Sequence, residues 1–215
     1  MMPCRYFKNS KSILCLNGDL PDSNFFLRDK VIVATDGAVD KLLNIGIKPS
    51  IIIGDLDSVK HKDYQNIEMV YLPDQNQSDF QKAMQYLSQK QLLPTVVCGV
   101  NGGFIDHILN NINIILENEC IFYSDPIIGY ALNGPTTLEL DLNVHTKLSL
   151  FGMAKAKVST VGLKWELDSA ILEFPGANSC FNRVVTERIS IEVLEGKLLV
   201  LIYLEHIVDH STTNF

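Results

Sequence analysis

Apolar positions along the first 125 or so residues fall into two alternating rhythms. Short runs rich in β-branched residues recur as SILCL (12–16), VIVAT (31–35), SIII (50–53), EMVYL (68–72), TVVCG (95–99) and CIFY (120–123). Each has the length of a buried strand. Between them lie helical spacings. Phe80, Ala83, Met84 and Leu87 fall at i, i+3, i+4 and i+7, and Phe104, Ile108, Ile112 and Ile115 follow nearly the same pattern. Strands that alternate with helices predict a mostly parallel sheet covered on both faces, an α/β arrangement.

From about Pro135 the rhythm changes. TTLEL, KLSLFG, AKVSTVG, SAILEF, RISIEVLEG and KLLVLIYLE are short, often alternate apolar with polar, and are punctuated by Gly, Pro or Asn. They predict six antiparallel strands in an all-β sandwich or barrel. The expected division is therefore an α/β unit over residues 1–134 and a β unit over 135–215.

Composition narrows the function. The chain has 215 residues, 47% of them apolar and 20% charged, which suits a folded protein with a real core. Its formal charge is −7 and no basic tract stands out, so neither nucleic acid nor an anionic membrane surface is an expected partner. Cys4, Cys15, Cys98, Cys120 and Cys180 are scattered without CxxC, which reads as reduced thiols and a cytoplasmic location. No run reaches the length of a membrane span, and Ile13–Leu16 is too short for a signal-peptide core.

Candidate chemistry sits just beyond the end of each predicted strand. Asn17-Gly18-Asp19 comes after the first, Asp36-Gly37 after the second, and Asp55 and Asp57 after the third. A polar loop beyond the fourth leads to Asp79. Gly102-Gly103 and then Asp106-His107 come after the fifth, and Asp125 after the sixth. Parallel strands place these ends on one rim, where α/β sheets bind ligands. Any one of these aspartates has an ordinary reading as a turn or cap. Ser78-Asp79-Phe80-Gln81 reads as a capping box with an acid in the first turn.

Taken together, the acids need a cation, because clustered carboxylates repel unless one neutralises them. Asp55 and Asp57, at i and i+2 in an extended stretch, would point the same way with backbones roughly 6–7 Å apart. That suits oxygen ligation of Mg²⁺. Gly54 leaves the turn unhindered, and Gly102-Gly103 offers backbone N–H groups at a helix start. A P-loop, a GxGxxG after the first strand, a GxSxG elbow and zinc-type histidine spacing are all absent from the sequence. Asp36 as a phosphatase-type nucleophile lacks the second acid two residues on. Trp165, the only tryptophan, is either a core residue or a flat face for a cationic aromatic ring.

The segments ATDGAVDKLLNIGIKPSIIIGDLDS, PDQNQSDFQKA, GGFIDHILNN, GLKWEL and NSCFNRV occur in that order. From about residue 14 to residue 203 the chain resembles the thiamine pyrophosphokinase family. The resemblance implies a Rossmann-like N-terminal domain, a C-terminal β domain and a homodimer with the active site at its interface. It implies Mg²⁺-dependent transfer of the pyrophosphoryl group of ATP to thiamine, giving AMP and thiamine diphosphate. Asp55, Asp57 and Asp79 match the family's metal and phosphate motifs, and Gln75 and Ser78 its nucleotide pocket. Asp36 and Asp106 match aspartates near the reacting ends, and Trp165, Ser179 and Asn182 match positions that hold thiamine across the dimer. With the strand-end residues, the expected ATP-facing set is Asn17, Gly54, Gln75, Ser78, Gly102, Gly103 and His107.

The chain departs from the family pattern at Ala38 (commonly Gly), Asn76 (commonly Asp), Phe104 (commonly Arg) and Phe181 (commonly Ser). Two alternatives remain beside this reading: a DxD metal-dependent nucleotide-sugar transferase, and a non-catalytic thiamine- or nucleotide-binding sensor.

Overall fold

The computed structural model describes residues 6–26, 29–57, 64 and 66–204. Cys4, Ser58, His61, His206 and His210 lie outside the described residues.

All six predicted N-terminal strands form: β1 (Ser12–Cys15), β2 (Val31–Thr35), β3 (Ile51–Gly54), β4 (Glu68–Tyr71), β5 (Thr95–Cys98) and β6 (Ile121–Ser124). They pair in parallel in the order β6-β5-β1-β2-β3-β4. Three α-helices occur among the described residues: α1 (Val39–Asn44), α2 (Asp79–Gln89) and α3 (Ile105–Glu117).

The continuous β-branched runs are explained by burial on both faces. Ile13, Cys15, Ala34, Ile52, Val96 and Cys98 join one core with Val39 and Leu42 of α1. The alternate residues Leu14, Val33, Ile51, Ile53 and Val97 join a second core with Phe80, Ala83, Met84 and Leu87 of α2 and Ile114 and Ile115 of α3. Period-two alternation thus feeds two apolar layers.

The apolar stripe expected on α3 is only half buried. Ile115 is fully buried and Ile108 and Ile112 are half-buried, but Phe104 is 80% exposed, and the neighbouring Ile105 and Leu109 are 71% and 62% exposed. The helix meets the sheet only through its second half, and its first turns overhang the rim.

The C-terminal part departs further from the expected short strands. KLSLFG and AKVSTVG are one strand, β9 (Lys147–Val161), and RISIEVLEG and KLLVLIY are another, β12 (Arg188–Tyr203). Gly196, which reads as a turn signal, instead holds φ +82 inside β12, and Ala154 holds φ 53 inside β9. The β9–β12 register shifts between Val193/Glu195 and Gly196/Lys197. Such bulges bend a strand without ending it.

The remaining strands are β7 (Ile127–Asn133), β8 (Thr136–Asp141), β10 (Ala170–Phe174) and β11 (Ser179–Arg183). β7, unrecognised in the sequence, is antiparallel to both β6 and β12. One twelve-stranded mixed sheet therefore runs through both parts of the chain. Gly134 and Pro135 form the turn between β7 and β8.

Candidate active site

The switch in strand order lies at β1, which has β2 on one side and β5 on the other. A cavity of about 590 Å³ opens over these strand ends. Asn17 and Gly18 beyond β1, Asp36 and Gly37 beyond β2, Asp55 beyond β3 and Asn101 beyond β5 line it, with Gln75, Ser78, Asp79 and Lys82 on the α2 side and Gly103, Asp106 and His107 on the α3 side. Four of the expected carboxylates thus face one space. Asp19, Asp57 and Asp125 are not part of its lining. Asp19 faces Asn101 Nδ2 at 3.4 Å, and Asp125 accepts the Tyr123 hydroxyl at 2.7 Å.

Asp36, Asp55 and Asp57 bring carboxylate oxygens within 4.8 Å of one another. Local sequence explains this. β3 stops at Gly54, and a Cβ there would stand 2.9 Å from Asp36 Cγ, so glycine makes room for the neighbouring carboxyl. The stretch between Asp55 and Asp57 is not extended as expected. Leu56 turns at φ 62, and the Asp57 N–H donates to Asp55 Oδ1 at 3.3 Å. The two acids meet through this tight turn, a geometry that costs a non-glycine residue roughly 1–2 kcal/mol.

The electrostatics fit a cation. Asp36 is 4% exposed, and its Oδ2 is buried without a hydrogen-bond partner. Burial, and next the negative charge of Asp79, push its carboxyl up to about 6. Asp55 is held below the usual carboxylate range, chiefly by the Gln75 amide, which donates to its Oδ2 at 2.8 Å. An orphaned buried oxygen beside two further carboxylates is a donor set for a hard, oxygen-seeking ion.

Asp79 stands outside this trio. It opens α2, where Ser78 Oγ accepts from the Gln81 N–H at 3.3 Å and Gln81 Oε1 accepts from the Ser78 N–H at 3.0 Å, the predicted capping box. Its Oδ1 pairs with Lys82 Nζ at 3.1 Å. Sequence reasoning passed over Lys82 and also Lys41, whose Nζ donates to the carbonyls of Asn17 and Gly18 at 2.9 Å each. The i, i+3 spacing of Asp79 and Lys82 was the readable signal. Gly102 does not line the cavity and packs against Asp19; a Cβ on it would lie 2.2 Å from Asp19 Oδ1. Asp106 Oδ1 accepts the His107 N–H at 2.9 Å.

Trp165, Ser179 and Asn182 come together elsewhere, where the segment between β9 and β10 meets β11. Trp165 is 53% exposed, so it is not a core residue. Glu166 shapes its turn by accepting the N–H groups of Gly162 at 2.7 Å and Leu163 at 3.0 Å. Asn182 is completely buried and acts as a clamp. Its Oδ1 accepts from Trp165 N at 3.1 Å and Arg183 N at 2.8 Å, and its Nδ2 donates to Trp165 O at 2.7 Å and Ser179 Oγ at 3.1 Å. Lys164 Nζ rests 4.7 Å from the indole centroid, so the ring already attracts a cation. None of the three lines the acidic cavity.

Fold and cavity together define an α/β protein with an acidic ligand site at the carboxyl ends of parallel strands. The family model described as thiamin pyrophosphokinase, catalytic domain, matches residues 23–123, and the one described as thiamin pyrophosphokinase, vitamin B1 binding domain, matches residues 136–198. Thiamin pyrophosphokinase 1 of Caenorhabditis elegans is 30% identical over 186 residues, 77% of this chain and 76% of that protein. Thiamine pyrophosphokinase 3 of Oryza sativa subsp. japonica is 28% identical over 182 residues, 74% of this chain and 67% of that protein. The crystal structure of thiamine pyrophosphokinase from Bacillus subtilis shares the fold at TM-score 0.78 with 19% identity, covering 91% of this chain and all of that one. The chain belongs to the thiamin pyrophosphokinase family.

Proposed function

We propose that the protein is an ATP:thiamine diphosphotransferase, moving the terminal pyrophosphoryl group of ATP to the hydroxyethyl arm of thiamine and releasing AMP. The observation that carries this reading is the trio of Asp36, Asp55 and Asp57, two of which, Asp36 and Asp55, line the cavity over the parallel strand ends. The strand order β6-β5-β1-β2-β3-β4 supports a Rossmann-like description of this half, and family-model matches that end at 123 and resume at 136 support a division into an α/β unit and a β unit at residues 134/135.

Transfer of a pyrophosphoryl group asks for positioning and charge neutralisation, with little covalent work from the protein. Asp36, Asp55 and Asp57, with Asp79 close by, would hold Mg²⁺, which when bound neutralises the triphosphate and polarises the reacting phosphorus. Gln75 keeps Asp55 ionised and oriented toward that task. Asn17, Gly54, Ser78, Gly103 and His107 surround the nucleotide, with Gly102 shaping the approach to α3. Asp36 or Asp106, both in the cavity wall, would take the hydroxyl proton of the acceptor.

Thiamine stacks its cationic ring on the exposed Trp165 indole beside Ser179, while Asn182 fixes both. In a single chain these residues lie away from the acidic cavity, which supports a homodimer in which each copy completes the other's site. The exposed Phe104, Ile105 and Leu109 at the cavity rim support the same arrangement. No described helix is long and apolar enough to cross a membrane. A cytoplasmic location suits the free thiols Cys15, Cys98, Cys120 and Cys180.

The test is incubation with ATP, Mg²⁺ and thiamine, followed by separation of the nucleotides. AMP together with thiamine diphosphate is expected. ADP would mean a simple kinase, and no nucleotide product would mean a sensor or a sugar transferase.

A further inference from the structure

Among the described residues, Lys82 is the only lysine or arginine in the wall of the acidic cavity. It sits in the first turn of α2, 4% exposed, with Nζ 3.1 Å from Asp79 Oδ1. Asp79 is the only hydrogen-bond acceptor its ammonium has among the described residues. An ammonium carries three donors, so two remain for another partner. Taking such a charge out of water costs several kcal/mol per ion, and the partly exposed carboxylate of Asp79, with the more distant exposed Asp74, offsets only part of that.

The wall is negative overall, so an anion enters it together with a cation held by the acids, and Lys82 is the one positive side chain there to meet it. The other charged side chains of the wall are Asp36, Asp55, Asp79 and Asp106. The trio that can share a cation lies at the β2–β3 side, and Lys82 faces the same space from α2. The amino-terminal turn of this eleven-residue helix adds a partial positive charge of its own.

We propose that Lys82 is a phosphate-binding residue: its ammonium donates directly to a non-bridging oxygen of the triphosphate while its third donor stays on Asp79. The proposal rests on the reading of the cavity as a nucleotide site. The competing explanation is that Lys82 only neutralises Asp79, and the two can be separated by a double-mutant cycle.

Affinity for α,β-methylene-ATP is measured by titration calorimetry, with and without Mg²⁺, for wild type, Lys82→Met, Asp79→Asn and the double variant. Lys82→Met is expected to weaken binding at least tenfold, and the same change made in the Asp79→Asn background to weaken it by a similar factor, because the oxygen contact does not depend on Asp79. Lys82→Arg is expected to keep most of the affinity. Unchanged affinity in Lys82→Met, or a cost that vanishes once Asp79 is Asn, overturns the proposal. Lys82→Gln, which still donates to Asp79 but carries no charge, gives the same comparison if the methionine variant does not fold. A wild-type protein that binds no adenine nucleotide under either condition removes the nucleotide reading beneath the proposal, a result distinct from failure of Lys82 alone.

Discussion

Replacing Asn182 by alanine tests how the Trp165 platform is held. The amide engages four groups: the N–H of Trp165 at 3.1 Å, the N–H of Arg183 at 2.8 Å, the carbonyl of Trp165 at 2.7 Å and Ser179 Oγ at 3.1 Å. Asn182 is fully buried, so water does not replace these contacts for free. At about 1 kcal/mol net per hydrogen bond, their loss amounts to about 4 kcal/mol, a large share of a typical stability of roughly 5–15 kcal/mol. The assay is built in, because Trp165 is the only tryptophan and its emission reports the platform itself. Urea unfolding followed by that emission should show a midpoint well below wild type. The native emission should shift, and the Michaelis constant for thiamine should rise at least tenfold while that for ATP moves less than threefold. A stability loss under about 1 kcal/mol with unchanged emission would refute the clamp.

Other expectations bear on the remaining parts of the site. Asp57→Asn should reduce turnover by more than a hundredfold with an unchanged thermal midpoint, since Asp57 is exposed and its loss disturbs no packing; activity within tenfold of wild type would remove it from the metal set. Trp165→Ala should raise the Michaelis constant for thiamine far more than for ATP, and equal effects on both would assign the ring to packing. Asp36 makes stability depend on pH in a defined direction. Its carboxyl titrates at about 6 in the fold against an ordinary 3.8, so the native state holds the extra proton between those values. Stability should therefore fall as pH rises from about 4 to about 6 and level off above, by up to about 3 kcal/mol. Mg²⁺ at pH 7 should restore it and Asp36→Asn should flatten the slope; denaturant midpoints across that range, with and without the ion, decide.

Much of the fold was legible because local and global signals agreed. VIVAT and TVVC became β2 and β5 as β-branched runs buried on both faces should, and the capping box at Ser78 gave the start of α2 to the residue. What escaped depended on distant partners. Gly196 reads as a turn, yet β9 alongside carries β12 through it, so two long bent strands looked like four short ones. β7 was hidden because IIGYALN carries Gly129, which is there to admit the Phe122 ring, as a Cβ would lie 1.9 Å from Phe122 Cε1. In the site, the acids after β2 and β3 were readable as strand-end residues. That Asp79 lies outside the trio was not, because it depends on how close the loops after β2, β3 and β4 come in the folded chain. The role of Asn182 was unreadable for the same reason: Trp165 lies seventeen positions away, and only the folded chain shows that its amide is fully engaged.

β7 has a mechanical consequence. It is laced to β6 over four residue pairs, Ile121↔Tyr130 to Ser124↔Ile127, and to β12 over seven, Lys197↔Asn133 to Tyr203↔Ile127. The half with the acidic cavity and the half with Trp165 are thus woven into a single cloth, with no seam among the described residues along which one could swing. Closure over a ligand at the strand ends then falls to the loops at the rim, not to a swing of one half against the other.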